Sequence, residues 1–494
     1  MIIRGRKKMI FNEENIRKIF GHEAAEDDDP ENLSGFYVKS SAYETLKSNL
    51  PLYVVVGHKG TGKSALLRIL EREERQQHNL PIAIRPDDIF EQTEKDINKM
   101  IYVWQDRLAK IIFDKLIETI YDINISSKDG TFREWLGKFS KLTFAILGKK
   151  YADIKKNGID LTHKDFLKLF KDAIFKERRI TIFIDDLDRG WKNEEHEIRN
   201  ISAMLNAVRT ITRDVPNVKF RVALRSSVYF AVRTSDESTD KIETSVVWLK
   251  WDNHAILAML AKRVLLFEKG ISVDEKILMQ KPQSELGRYF DNVFEKYFQG
   301  VGHWSNAPIY RVLLSLIRQR PRDLIKLCSL AAHEAYSREH EVIKTADFEQ
   351  IFQLYSQERL TDTINEYSSE LQRDILQKVL LEMKPASRKS NSFLYTPPEL
   401  QQKMKQIIEH IGSVKFNNGV MIDPKNLSVF LYKINFLTAR KDIEGKIIRA
   451  YYDDNQYVFN SDVDFGFSME VHPAYRWALQ PQNINLYNDI SLFD

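Results

Sequence analysis

Apolar positions along this chain fall into short unbroken runs and longer periodic stripes. Leu52 to Val56 reads as a buried strand, Ile180 to Ile184 is a β-branched run of the kind a central parallel strand shows, and Asn217 to Ser227 and Thr244 to Trp251 each read as strands. Elsewhere the apolar residues recur at helical spacing. Ala65 to Glu74 reads as a helix directly after the first run. Ile97, Ile101, Trp104, Leu108, Ile112 and Leu116 form one stripe of a helical insertion, and Ile198, Ile201, Leu205, Val208 and Ile211 make Glu197 to Thr212 a crossover helix. Strands alternating with crossover helices predict a doubly wound α/β domain with a parallel sheet. From Ala255 to about Glu358 the periodicity is helical throughout. Beyond it, Leu371 to Met383, Glu399 to Ile411 and "NLSVFLYKINFLTAR" predict three helices, "KPASRKSNSFLYTPP" a linker, and "GKIIRAYYDD" with "QYVFN" a hairpin. Three helices and a β wing describe a winged-helix-like unit, closed by a last helix over Val471 to Leu479. His472 has no partner at metal-ligand spacing and is expected to be structural.

Composition narrows the class. At 494 residues the chain exceeds what one core usually serves, so about two to four domains are expected. With 43% hydrophobic and 29% charged residues it has the makeup of a globular protein rather than a disordered one. Seventy-four basic against 70 acidic side chains leave a net charge of +4, which does not argue for a nucleic-acid coat or a membrane-surface protein. The single cysteine, Cys328, excludes an intramolecular disulfide and fits a reducing cytoplasm. No run approaches the apolar length of a membrane span, so no membrane association is expected.

Candidate chemistry begins where the first strand ends. "GHKGTGKSA", from Gly57 through His58, Lys59, Gly60, Thr61, Gly62, Lys63 and Ser64 to Ala65, contains G-x-x-x-x-G-K-S, the P-loop pattern, between a predicted strand and a predicted helix. Glycines let the backbone fold tightly enough to aim successive N–H groups at phosphate oxygens, at the positive end of the following helix. Lys63 is placed to reach the β and γ phosphates and Ser64 to ligate Mg2+. A second acidic element must hold the metal and the attacking water. "ITIFIDDLDRGW" supplies it, with Asp185 expected on the metal and either Asp186 or Asp188 orienting or deprotonating the water. Arg225 and the serines after it stand at the end of the third run, where a γ-phosphate sensor is expected. Arg189 is open between a phosphate, a neighbouring subunit and an ion pair with one of the aspartates. No Asn-Lys-x-Asp element follows, so ATP is favoured over GTP.

In "RQRPRDLIKL", Pro321 fits the first turn of a helix, and Arg322 beside it can swing over a nucleotide; the competing reading is a surface ion pair with Asp323 or Glu334. The predicted organisation is an entry segment over 1–50, a P-loop ATPase core over 51–253 with its insertion at about 88–170, a helical lid over 254–360 and the winged-helix-like domain over 361–494. That last region carries 15 Lys or Arg against 17 Asp or Glu, without the basic excess a phosphate-tracking surface shows.

Taken together, "FGHEAAEDDDPENLSGFYVKSSAYETLKSN", "GHKGTGKSALL", "IDDLDRGW", "VALRSSVY", "RPRDLIKL" and "LYKINFLTA…VHPAYRWAL" resemble a group of bacterial P-loop ATPases marked by a D-D-L-D-R signature, related to the KAP and STAND branches of the AAA+-like NTPases. The resemblance implies an ATP-hydrolysing switch or assembly motor, a homo-oligomer with a protein effector, and a setting in defence against phage. An arginine acting across subunits would come from Arg225, Arg233 or Arg189. The alternative expectation is an origin-recognition-like protein in which ATP locks a winged helix onto DNA.

Overall fold

The computed structural model describes residues 10–23, 27–28, 30–85, 96–126, 130–147, 162–172, 177–235, 237–385, 393–443, 446–459 and 466–480. Parts of the expected insertion and linker, and Asn460, lie outside them. The chain divides into two compact units, one of residues 39–250 and one of residues 1–38 with 251–494. Each has its own buried cluster.

The chain opens in the second unit with α1 (Glu13–Phe20) and α2 (Pro30–Phe36), which pack on helices from beyond residue 250. It enters the first unit at α3 (Ser41–Lys47). There follow β1 (Leu52–Gly57), α4 (Lys63–Gln76), β2 (Leu80–Ile84), the insertion helices α5 (Ile97–Ser126), α6 (Gly130–Leu147) and α7 (His163–Phe170), then β3 (Ile180–Ile184), α8 (Glu195–Asp214), β4 (Val218–Arg225), α9 (Ser226–Ser235) and β5 (Val246–Trp248). The five strands are parallel, in the order β2-β3-β4-β1-β5. Their continuous apolar runs are explained by helices on the sheet: every residue of β1 and β3 is buried. The expected stripe of α5 faces β2 and α8, with Trp104, Leu108, Ile112 and Leu116 buried and the Trp104 indole N–H donating to Asn200 Oδ1 at 2.8 Å.

The order of strands positions the site. β4 lies between β3 and β1, so its carboxyl end adjoins the loops that leave both neighbours. Arg225 pairs in register with Gly57, the last residue of β1, while Ile184 pairs with Val222. Ligands of such sheets bind at this carboxyl edge.

The second unit continues with α10 (Asn253–Lys269), α11 (Glu275–Met279), α12 (Gln283–Leu286), the hairpin β6 (Tyr297–Gln299) and β7 (Ser305–Pro308), α13 (Ile309–Ser315), α14 (Pro321–Ser337) and α15 (Thr345–Tyr367). After these come α16 (Arg373–Glu382), β8 (Leu394–Tyr395), α17 (Pro397–Ile411), α18 (Pro424–Lys433), β9 (Leu437–Ile443), β10 (Lys446–Ala450), β11 (Ser468–Val471) and α19 (Arg476–Leu479). The last four strands form an antiparallel sheet in the order β10-β9-β11-β8. One buried cluster runs from Phe11 to Leu479 without a break at residue 360. Buried charges inside it are paired, as desolvation demands: Asp323 takes Arg318 at 2.7 Å and Arg359 at 2.8 Å, and Arg320 meets Glu366 at 2.8 Å.

The hairpin differs from the expected one. Its strands are β9 and β10, with Ile443 opposite Lys446, whereas Gln456 to Phe459 form a turn. Asn435 takes a left-handed φ of 57° just after α18, so the chain leaves the helix and "LTARKDI" becomes a strand. The turn is held by the Asn455 side chain, which accepts from Tyr457 N at 3.1 Å. The closing helix is also shorter than expected, because Val471 belongs to β11 and a 3-10 turn over Pro473–Tyr475 precedes α19. His472 is buried, accepting from Ala474 N through Nδ1 at 3.1 Å, with Nε2 at 3.1 Å from the Tyr451 hydroxyl.

Candidate nucleotide site

The loop between β1 and α4 is built on glycine conformations. Gly60 and Gly62 have φ of 85° and 92°, in the left-handed region that other residues rarely adopt. A Cβ at Gly57 would come within 2.8 Å of Thr61 Oγ1 and 3.1 Å of Leu249 O, so this position admits no side chain without displacement. The Thr61 hydroxyl donates to His58 O at 2.9 Å, and Lys63 Nζ donates to the carbonyls of Gly57 at 2.8 Å and His58 at 3.0 Å. The ammonium thus spans the loop from the inside. Gly62 is the N-cap of α4 and makes no side-chain capping bond, so the first turn of the helix, with its positive dipole end, directly follows the glycine loop. His58 and Thr61 are buried, while Lys59, Gly60 and the residues from Gly62 to Ala65 are half-buried along the rim.

The acidic end of β3 meets this loop. The Ser64 side chain and the Lys63 ammonium lie close enough to the Asp185 carboxyl to favour its ionised form. Burial nevertheless pushes that carboxyl above its usual range, against the pull of Ser64 and Lys63. A desolvated carboxylate beside a hydroxyl suits a divalent cation completed by phosphate oxygens and water, the usual way magnesium is held. Among the described residues no group of three or more His, Cys, Asp or Glu side chains forms a protein-only metal cage.

The two other aspartates have different surroundings. Asp186 adopts a φ of 59°, stays half-buried at the rim and pairs with the exposed Arg189 at 3.1 Å. Asp188 is buried, with Oδ2 at 2.8 Å from Arg225 Nε. One residue on, Ser226 Oγ is 3.1 Å from Nδ1 of His58 in the loop. Neither the Asp188–Arg225 nor the His58–Ser226 pair was foreseen from the sequence, because each joins loops from different strands and only the strand order brings them together. Arg233 pairs with Glu243 at 2.7 Å.

Arg322 belongs to the other unit. It is the second residue of α14, and its Nε donates to Glu23 O at 3.0 Å. The expected alternative, a surface pair with Asp323 or Glu334, is not formed. Asp323 is buried between Arg318 and Arg359, and Glu334 pairs with Arg338 at 2.7 Å.

With this geometry in place, comparison with known proteins places two segments. Residues 18–89 match the ORC-CDC6-like family, and residues 275–364 match the FunZ-associated C-terminal helical domain. Over 95% of its length the chain is 23% identical to 69% of the putative transposon gamma-delta 80.3 kDa protein of Escherichia coli. Among solved structures, the ORC2 protein of Aeropyrum pernix in its ADPNP-ADP complexes aligns over 92% of each chain at 10% identity and a TM-score of 0.39. The RuvB Holliday junction branch migration motor of Thermotoga maritima aligns over 92% of this chain and 96% of its own, at 11% identity and a TM-score of 0.32. The P-loop α/β fold of the first unit rests on its own strands and loops.

Between α18 and β10, the side chains of Lys433, Arg440, Lys441 and Arg449 have partners within the protein. Arg449 Nε lies 2.5 Å, Arg440 NH1 3.2 Å and Arg476 NH2 2.9 Å from the buried carboxylate of Glu470, and Lys433 pairs with Glu370 at 2.8 Å. Lys441 stands over the Phe467 ring at 5.8 Å. No helix among the described residues is long and apolar enough to cross a membrane.

Proposed function

We propose that the chain binds ATP with Mg2+ and hydrolyses it, and that the bound nucleotide sets its state as a switch. The observation that carries this reading is the strand order, which sets the glycine loop after β1 and the acidic end of β3 on either side of the end of β4, where Ser226 Oγ lies 3.1 Å from His58 Nδ1 and Arg225 Nε 2.8 Å from Asp188 Oδ2. The amides from Gly60 to Ala65 and the Lys63 ammonium bind the phosphates, with Lys63 leaving its loop carbonyls for the β and γ oxygens. Bound magnesium would neutralise phosphate charge. Ser64 and Asp185 would hold it, and Asp186, at the open rim, would orient the attacking water and take its proton.

Titration with a fluorescent ATP analogue and a phosphate-release assay test this directly. Wild type is expected to bind and turn over ATP, and Lys63→Ala to do neither. Asp186→Asn is expected to bind but to lose about 10²–10⁴-fold in turnover. A wild-type protein that binds no nucleotide, indistinguishable from Lys63→Ala, sinks the reading.

The output of the switch, on this proposal, is assembly of copies of the chain with a partner effector in the cytoplasm, in the defence setting that the D-D-L-D-R resemblance implies. Particle images with and without a non-hydrolysable ATP analogue read that output. A second reading, ATP-dependent DNA binding, is favoured by the match of residues 18–89 to the ORC-CDC6-like family and by the helix-strand-helix-helix-hairpin order from α16 to β10. Against it stand the inward turn of Arg440 and Arg449 and the acidic balance of the region. A gel shift at low salt that Lys441→Gln weakens would support it; its absence leaves the effector reading.

A further inference from the structure

We propose that Arg225 and Ser226 form a crossbar between the phosphate loop and the acidic turn, and that Asp188 is a positioning residue for that bar rather than the acid or base of hydrolysis. The proposal rests on the ATPase reading above. Three observations carry it. First, β4 is flanked by β3 and β1, so the end of β4 is where both loops come within reach of one dipeptide. Second, each half of the dipeptide is tied to a different loop: Arg225 Nε lies 2.8 Å from Asp188 Oδ2, and Ser226 Oγ lies 3.1 Å from His58 Nδ1. Third, the anchors are closed to solvent, with Asp188 4%, His58 6% and Ser226 3% exposed, so water does not readily replace either contact.

Burial also separates the two candidate aspartates. A carboxylate that is buried and committed to a guanidinium is poorly placed to take a proton from a water molecule, whereas Asp186 stands at the rim. His58 in turn reports on the loop, since its carbonyl accepts from both Lys63 Nζ and Thr61 Oγ1. A phosphate that draws Lys63 off that carbonyl alters the segment to which the His58 ring belongs. Ser226 and Arg225 share a peptide bond at the start of α9, so displacement of one carries the other. The bar thereby lets the terminal phosphate be felt at Asp188 without touching it.

The test is a double-mutant cycle on the full chain, read as the ratio of dissociation constants for ADP and a non-hydrolysable ATP analogue, by calorimetry with magnesium present. Ser226→Ala and Asp188→Asn are each expected to shrink that ratio by roughly fivefold or more, the usual lower range of such couplings. The double variant is expected to be no worse than the stronger single, because both cut one bar. His58→Ala should reproduce Ser226→Ala, and His58→Asn, which keeps a polar atom near Nδ1, should restore most of the ratio. If Asp188→Asn does not fold, as judged by thermal melting, Asp188→Glu takes its place. Ratios that stay at the wild-type value, or losses that multiply in the double variant, overturn the crossbar. A wild-type chain that binds neither nucleotide overturns the ATPase reading itself, a different result from binding with an unchanged ratio.

Discussion

Lys219 and Arg221 alternate with Phe220 and Val222 along β4, and both basic side chains are buried. The reason lies in the turn between α3 and β1. Arg221 donates to the carbonyls of Leu46 at 2.7 Å, Ser48 at 3.0 Å and Leu50 at 3.1 Å, and its guanidinium stacks over Tyr53 at 5.0 Å. Burial pushes that guanidinium down to about 10. Arg221→Met would strand those carbonyls, so urea unfolding of the first unit is expected to show a loss of about 2–4 kcal/mol. Arg221→Lys should recover little of it, because one ammonium cannot reproduce the fork. The conformation of the glycine loop, in contrast, was legible from a short stretch: the glycines at 57, 60 and 62 and the Lys63 side chain act on neighbours a few positions away. Asp186 and Asp188 are the opposite case. They are the same residue type two positions apart, and only their burial and partners tell them apart.

Among the elements, α18 shows why periodicity places a helix better than it ends one. Leu427, Phe430, Leu431 and Ile434 are buried at helical spacing, and Leu437 continues the pattern although it begins β9. The left-handed Asn435 decides the break, and any residue-type count would pass over it. What then holds β9, β10 and β11 together is Glu470, whose carboxyl is drawn down to about 2 by Arg449, Arg476 and Arg440 despite its burial. A carboxyl depressed in the folded state stabilises above its unfolded value and loses that contribution as pH falls. Stability of the second unit is therefore expected to drop between pH 4.5 and about 2, measured by circular dichroism in urea at successive pH values. Glu470→Gln should cost about 3–5 kcal/mol at neutral pH, since it leaves buried guanidinium groups uncompensated, and should flatten that slope.

At the scale of the whole molecule, two buried clusters with no residue in common underlie the two units. Calorimetry of the full chain is expected to resolve two transitions. Leu108→Ala, in the first cluster, should lower one by about 2–5 kcal/mol, and Leu313→Ala, in the second, the other. A single transition moved equally by both variants would count against separate cores. The amino-acid sequence by itself determined the parallel α/β core, the strand–glycine loop–helix unit and the carboxylates at a strand end. Glycine conformation, helix polarity and the period of burial all act within a few residues, so a short window carries them. Tertiary structure alone decided that residues 1–38 join the carboxyl-terminal unit, that Arg225 faces Asp188, and that Arg440 and Arg449 turn inward to Glu470. Those pairings are set by strand order and by the cost of desolvating a charge, which depend on what covers each residue from distant parts of the chain.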